Sequence, residues 1–197
     1  MAPTIRTLAK YKSDQYYYSV DFFGEDLTVT LTKTPSDIRR WIRDVVFRHR
    51  RSRSCHPLIV GVGVNWAPHW YLSAPPCHYR PADSLQLCVG TSVSPTSFQG
   101  SSRIQTQDAK RLARTRYQLE IGELLDARMY VVDSQGRSLR GRSFEEIVEK
   151  CMGFRGVKLD RGISRSDWSV EYLSNDQILQ VSVDAYVCFK LGVSARL

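Results

Sequence analysis

Two carboxylates carry whatever chemistry can be read from this sequence. Asp108 opens the segment DAKRLARTRYQL, and Asp184 lies inside DQILQVSVDAYVCFKLG; both segments have helical spacing. Carboxylates in such positions are candidates for holding a divalent cation or moving a proton. Spacing alone does not bring these two together, and one acid in a mostly apolar helix is more commonly a surface or hydrogen-bonded group. Other chemistries lack their signatures. His49, His56, His69 and His78 sit in basic or Pro-rich segments without metal-ligand spacing. No Ser/His/Asp or Cys/His arrangement can be read. There is no GxxxxGK[ST], and GVGVN at 61–65 is not a strand–GxGxxG–helix unit.

The element that must position a site is the stretch Leu58–Trp66, LIVGVGVNW, bounded by Pro57 and Pro68. A short run of β-branched and small residues between prolines predicts a strand buried on both faces. Gly61 and Gly63 remove side-chain volume from it, so another backbone or a ligand can come close. Asn65 and Trp66 place an amide and an aromatic plate at its end. A second strand, Ser84–Val89, follows a Pro-rich loop and is expected to pair antiparallel with the first.

Upstream, Tyr16–Phe23 and Leu27–Thr32 are aromatic and β-branched with Gly24-Glu25-Asp26 between them, a hairpin signature. Thr34-Pro35-Ser36-Asp37 then opens a helix with a hydroxyl cap and a proline in its first turn. Ile38, Trp41, Ile42, Val45 and Val46 repeat at helical spacing, with arginines between them. Downstream, residues 91–107 are mostly Ser, Thr, Gln and Gly without apolar periodicity, the composition of an irregular loop. Ser143-Phe144-Glu145-Glu146 and Ser174-Asn175-Asp176-Gln177 are capping boxes, opening helices through Met152 and to about Leu191. In the latter, Gln177, Gln180 and Asp184 are expected near one another.

The 197 residues suit a single domain, with 1–15 as an N-terminal extension. Lys+Arg 28 against Asp+Glu 20 gives a net charge of +8, which favours an anionic partner without identifying it. Seven arginines fall between Arg39 and Arg53, with Asp44 the one acid among them. Arg48, Arg50 and Arg51 are the candidates for phosphate contacts, against the plainer reading of a solvated helix face. Cysteines at 55, 77, 88, 151 and 188 form no CxxC pair, and MAPTIRTLAKYK is not a signal peptide. They read as reduced thiols in a cytosolic or nuclear protein. No apolar run is expected to approach the roughly 18 residues that span a membrane.

From about Ser19 onward the chain resembles the DEDD (DnaQ-like) 3′–5′ exonucleases of the RNase H-like fold. The plant Werner-syndrome-exonuclease-like branch is the most similar, and within it the RISC-interacting clearing exoribonucleases. Asp167-Trp168-Ser169 followed by DQILQVSVDAYVCFKLG resembles the family's third motif, QDAKRLAR the second, and LIVGVGVNW–P the first. The resemblance implies an α/β, RNase H-like mixed sheet flanked by helices, with the hairpin and helix in front. It also implies a strand–helix–strand unit before Asp108 that residues 91–107 are too few to hold. It implies a Mg²⁺- or Mn²⁺-dependent 3′–5′ exoribonuclease acting on single-stranded RNA, with Argonaute as a partner. A ring-shaped homo-hexamer in the cytoplasm or nucleus, with no membrane association, completes the picture. Asp108 and Asp184 would ligate metal, Asn65 would orient water and Trp66 would stack a base. The chain departs from the pattern at Gly63 and Asn65, where the first motif has Asp and Glu, and at Gln180, where the third has Tyr. These departures leave a catalytically inactive nucleic-acid or protein-binding subunit of the same fold as the alternative.

Overall fold

The computed structural model of the chain describes residues 3–11, 15–51, 58–65, 84–90, 92–97, 126–168 and 170–195. The predicted hairpin forms strands β2 (Gln15–Phe22) and β3 (Glu25–Thr32), paired antiparallel from Gln15↔Thr32 to Phe22↔Glu25. Its turn is two residues long, Phe23-Gly24, one step earlier than the glycine–acid tripeptide suggests. Both turn residues have positive φ, +55° and +88°, the handedness that matches the twist of the flanking strands. Phenylalanine rarely adopts such a backbone. Here its ring stacks on Phe154 with centroids 4.6 Å apart, and the Asp21 carboxylate accepts the Gly24 N–H.

The expectation of an N-terminal extension over 1–15 is corrected in part. Thr4–Tyr11 is strand β1, antiparallel to β2. A register shift between Thr7 and Ala9 leaves Leu8 exposed on this outer strand. An irregularity of this kind discourages edge-to-edge pairing.

Helix α1 (Pro35–Arg51) starts as its sequence predicts, with the Thr34 carbonyl accepting from Asp37 and Ile38. Strand β4 (Gly61–Asn65) pairs antiparallel with β5 (Ser84–Val89), as expected. A second expectation fails nearby. Ser92–Ser97, read as irregular loop, is strand β6. It lies antiparallel to β5 and parallel to β3, joining the N-terminal hairpins to β5 and, through it, to β4. Its polar composition gives no strand signal, because pairing on both sides holds it in place. Pro95 has no N–H, and the ladder to β3 is interrupted at residues 94–95 while the register either side is unchanged. The rest of the expected loop, 98–107, and the helix expected from Asp108 lie outside the described residues.

The result is a mixed α/β fold on a six-stranded sheet of order β1-β2-β3-β6-β5-β4. Among the described residues β4 is therefore a terminal strand with a partner on one side. Val62 is half-buried, whereas Gly61 and Gly63 are buried.

Two further helices follow their capping signals. In α2 (Phe144–Met152) the Ser143 hydroxyl accepts the Glu146 N–H and the Glu146 carboxylate accepts the Ser143 N–H. Gly153 closes it at φ +75°. A single turn, α3 (Arg161–Ser164), is capped by Asp160. The long helix α4 (Asn175–Ala195) opens on a reciprocal pair of bonds between Ser174 and Gln177. By length and composition α4 could cross a membrane, contrary to the expectation for the apolar runs. It is instead laid against β4, β5 and β6, with Ile178, Val181, Ala185, Tyr186, Val187 and Leu191 buried. These residues join Val20, Phe22, Leu27, Val29 and Trp168 in one core.

Candidate functional site

The crossing of β4 and α4 is built from glycines. A β-carbon on Gly61 would overlap the Ala185 carbonyl oxygen and stand 2.6 Å from the Phe189 nitrogen. A β-carbon on Gly192 would stand 2.9 Å from the Ile59 methyl group. The helix backbone thus rests directly on the strand, the close approach that the glycines of LIVGVGVNW predict.

One turn of helix away, Asp184 faces Gly63. Its Oδ2 lies 3.3 Å from where a β-carbon on Gly63 would be, and the Gln86 Oε1 lies 2.6 Å from the same point. Strand β4 and helix α4 therefore meet at these positions. Gln86 is fully buried on β5, in register with Gly63. The place where a side chain at position 63 would emerge is already taken by the Gln86 amide.

Burial pushes the Asp184 carboxyl up to about 6, against the pull of Arg128. Arg128 is mainly engaged elsewhere. Its Nε and a terminal nitrogen donate to the two Asp126 carboxylate oxygens at 2.8 and 2.7 Å, and its backbone N–H donates to the same group. The Arg128 guanidinium in turn holds Asp126 below the usual carboxylate range. Cys188, one turn beyond Asp184, has its thiol pushed well up by burial and by the neighbouring Asp184 charge. A thiol held protonated in this way is a poor nucleophile and a poor metal ligand.

The other predicted residues divide. Asn65 ends β4 opposite Ser84. Arg48, Arg50 and Arg51 are exposed in the last turns of α1. Asp108 and Trp66 lie outside the described residues, as do His56, His69 and His78. Gln177 and Gln180 do not gather around Asp184. The Gln177 amide donates to the Ser166 hydroxyl and the Asp167 carbonyl. The Gln180 amide accepts the Asp160 N–H at 2.7 Å and donates to the Asp160 carbonyl and the Ser164 hydroxyl. Gln180 is thus a clamp on α3. Gln86 and Arg128 were not legible beforehand: Gln86 looks like any inward residue of a strand, and Arg128 is marked only by its spacing from Asp126.

For a divalent cation, Asp184 and the Gln86 amide oxygen offer oxygen donors of the right hardness. No group of three candidate ligands occurs among the described residues. They do not complete a two-metal site. No family model matches the chain, and no curated protein is significantly similar to it.

Proposed function

We propose that the chain is a 3′–5′ exoribonuclease of the DEDD class with an RNase H-like architecture, acting on single-stranded RNA. The observation that carries this reading is the meeting of Asp184 with Gly63 across the β4–α4 crossing. The short distance between the two positions supports reading their segments as the first and third motifs of the resemblance. In this reading Asp184 and Asp108 are the acids that a Mg²⁺ or Mn²⁺ cofactor needs. Such a cofactor supplies activated water and charge stabilisation at the leaving oxygen. Asn65 orients water, Trp66 stacks a base, and Arg48, Arg50 and Arg51 neutralise phosphates. Argonaute association and a homo-oligomer in the cytoplasm or nucleus belong to the same reading.

A second reading is favoured by a specific observation. With Gly63 bare and Gln86 occupying the position, the first motif contributes no carboxylate. A catalytically inactive, nucleic-acid- or protein-binding subunit would look like this. Metal-dependent degradation of single-stranded RNA separates the two. In the enzyme, Asp108→Ala and Asp184→Ala each abolish activity, because neither acid has a substitute, while His69→Ala retains most of it. Undiminished cleavage by Asp184→Ala would remove the metal-site assignment.

A further inference from the structure

We infer that the outward face of α1 is a track for single-stranded nucleic acid, in which Phe47 stacks on a base and the arginines around it hold the flanking phosphates. This rests on the nucleic-acid half of the proposed function and adds to it a stacking residue on a defined face of α1.

Phe47 is 61% exposed. An amphipathic helix places its apolar residues inward, and α1 has done so with Ile38 and Val45, which are buried. Phe47 stands on the opposite face. Arg43 lies one turn before it, Arg51 one turn after it, and Arg40 and Arg50 flank the same face, all of them exposed. The Arg51 guanidinium already stands over the ring, 5.9 Å from its centroid. The exposed acid on this face, Asp44, has its backbone carbonyl accepting from the Arg48 side chain. A bare aromatic ring among cations has the composition of a base-stacking platform beside a phosphate track.

The alternatives fit this face less well. A membrane-surface helix needs a broad apolar stripe, and here the stripe faces inward and only one ring faces out. A duplex closes its base faces against each other, so it offers the ring nothing to stack on. Single strands leave those faces open.

The test is equilibrium binding of a fluorescent single-stranded RNA oligonucleotide to the full chain in EDTA, so that no metal-dependent cleavage intervenes. Phe47→Ala should weaken binding by about fivefold or more, the lower end of what one base–aromatic stack contributes. The slope of affinity against salt should stay unchanged. Phe47→Tyr should retain affinity and Phe47→Leu should not, which separates stacking from simple apolar contact. Replacing Arg43, Arg50 and Arg51 with Gln should flatten the salt slope by about 0.7 per lost phosphate contact. Equal binding by Phe47→Ala and the parent, or equal loss against a duplex of the same length, would overturn the inference. So would a Phe47-dependent affinity for anionic lipid vesicles with RNA binding unaffected. RNA bound through Phe47 but never cleaved when metal is supplied would sink the nuclease reading and leave this one standing. Cleavage with Phe47-independent binding would do the reverse.

Discussion

At the scale of single residues, Gly63, Gln86 and Asp184 meet where β4, β5 and α4 converge. A carboxyl pushed up to about 6 by burial has consequences without any substrate. The folded-state value lies above the ordinary 3.8, so the native state holds the proton more tightly than the unfolded chain does. The stabilisation this gives is fully present below about pH 4 and lost as pH rises through about 6. Asp184→Asn keeps a neutral group there at every pH. In EDTA the variant should gain stability over the parent between about pH 4 and about pH 7, by an amount on the order of 1–3 kcal/mol. Urea unfolding across that range measures it, and parallel stability curves for the two proteins would show that Asp184 is not desolvated.

At the scale of elements, Gly61 fixes the distance between β4 and α4. Gly61→Ala should destabilise the protein by about 1–3 kcal/mol or more, since the added carbon meets helix backbone, which cannot rotate away. Gly136→Ala, where no atom stands within 4 Å of the added carbon, should cost only the strain of its φ of +74°. Comparable urea midpoints for the two variants would mean that helix and strand are not in backbone contact. Elements with local signals were the legible ones. The α2 and α4 caps, the α1 proline start and the β2–β3 hairpin each depend on residues within a few positions of one another. Strand β6 was not legible, because Ser92–Ser97 is held by neighbours distant in sequence. Asp184 was legible as a candidate, but Gln86, which changes its surroundings, was not. That convergence joins β4, β5 and α4, and only the folded chain brings those three together.

At the scale of the whole molecule, β6 links the N-terminal hairpins to the β5–β4 pair. A strand paired on both sides exchanges its amide hydrogens slowly; an edge strand has its outward amides unprotected by a partner. Hydrogen exchange on the purified chain should therefore show Ser92–Ser97 better protected than Gly61–Asn65. Rapid exchange throughout β6 would instead place residues 92–97 with the loop that their composition suggests. The net charge of +8 and the exposed arginines of α1 favour an anionic partner. The crossing of β4 and α4 gives it the carboxylate on which hydrolysis would depend.

The measurement that bears most directly on the proposed activity is the product pattern from a 5′-labelled single-stranded RNA, with Mg²⁺ or Mn²⁺ and with EDTA. With metal present, a ladder shortening stepwise from the 3′ end is expected. Intact RNA is expected in EDTA, and from Asp184→Asn under either condition. RNA that stays full length with both metals while remaining bound to the protein would contradict the exonuclease and leave the binding subunit in its place.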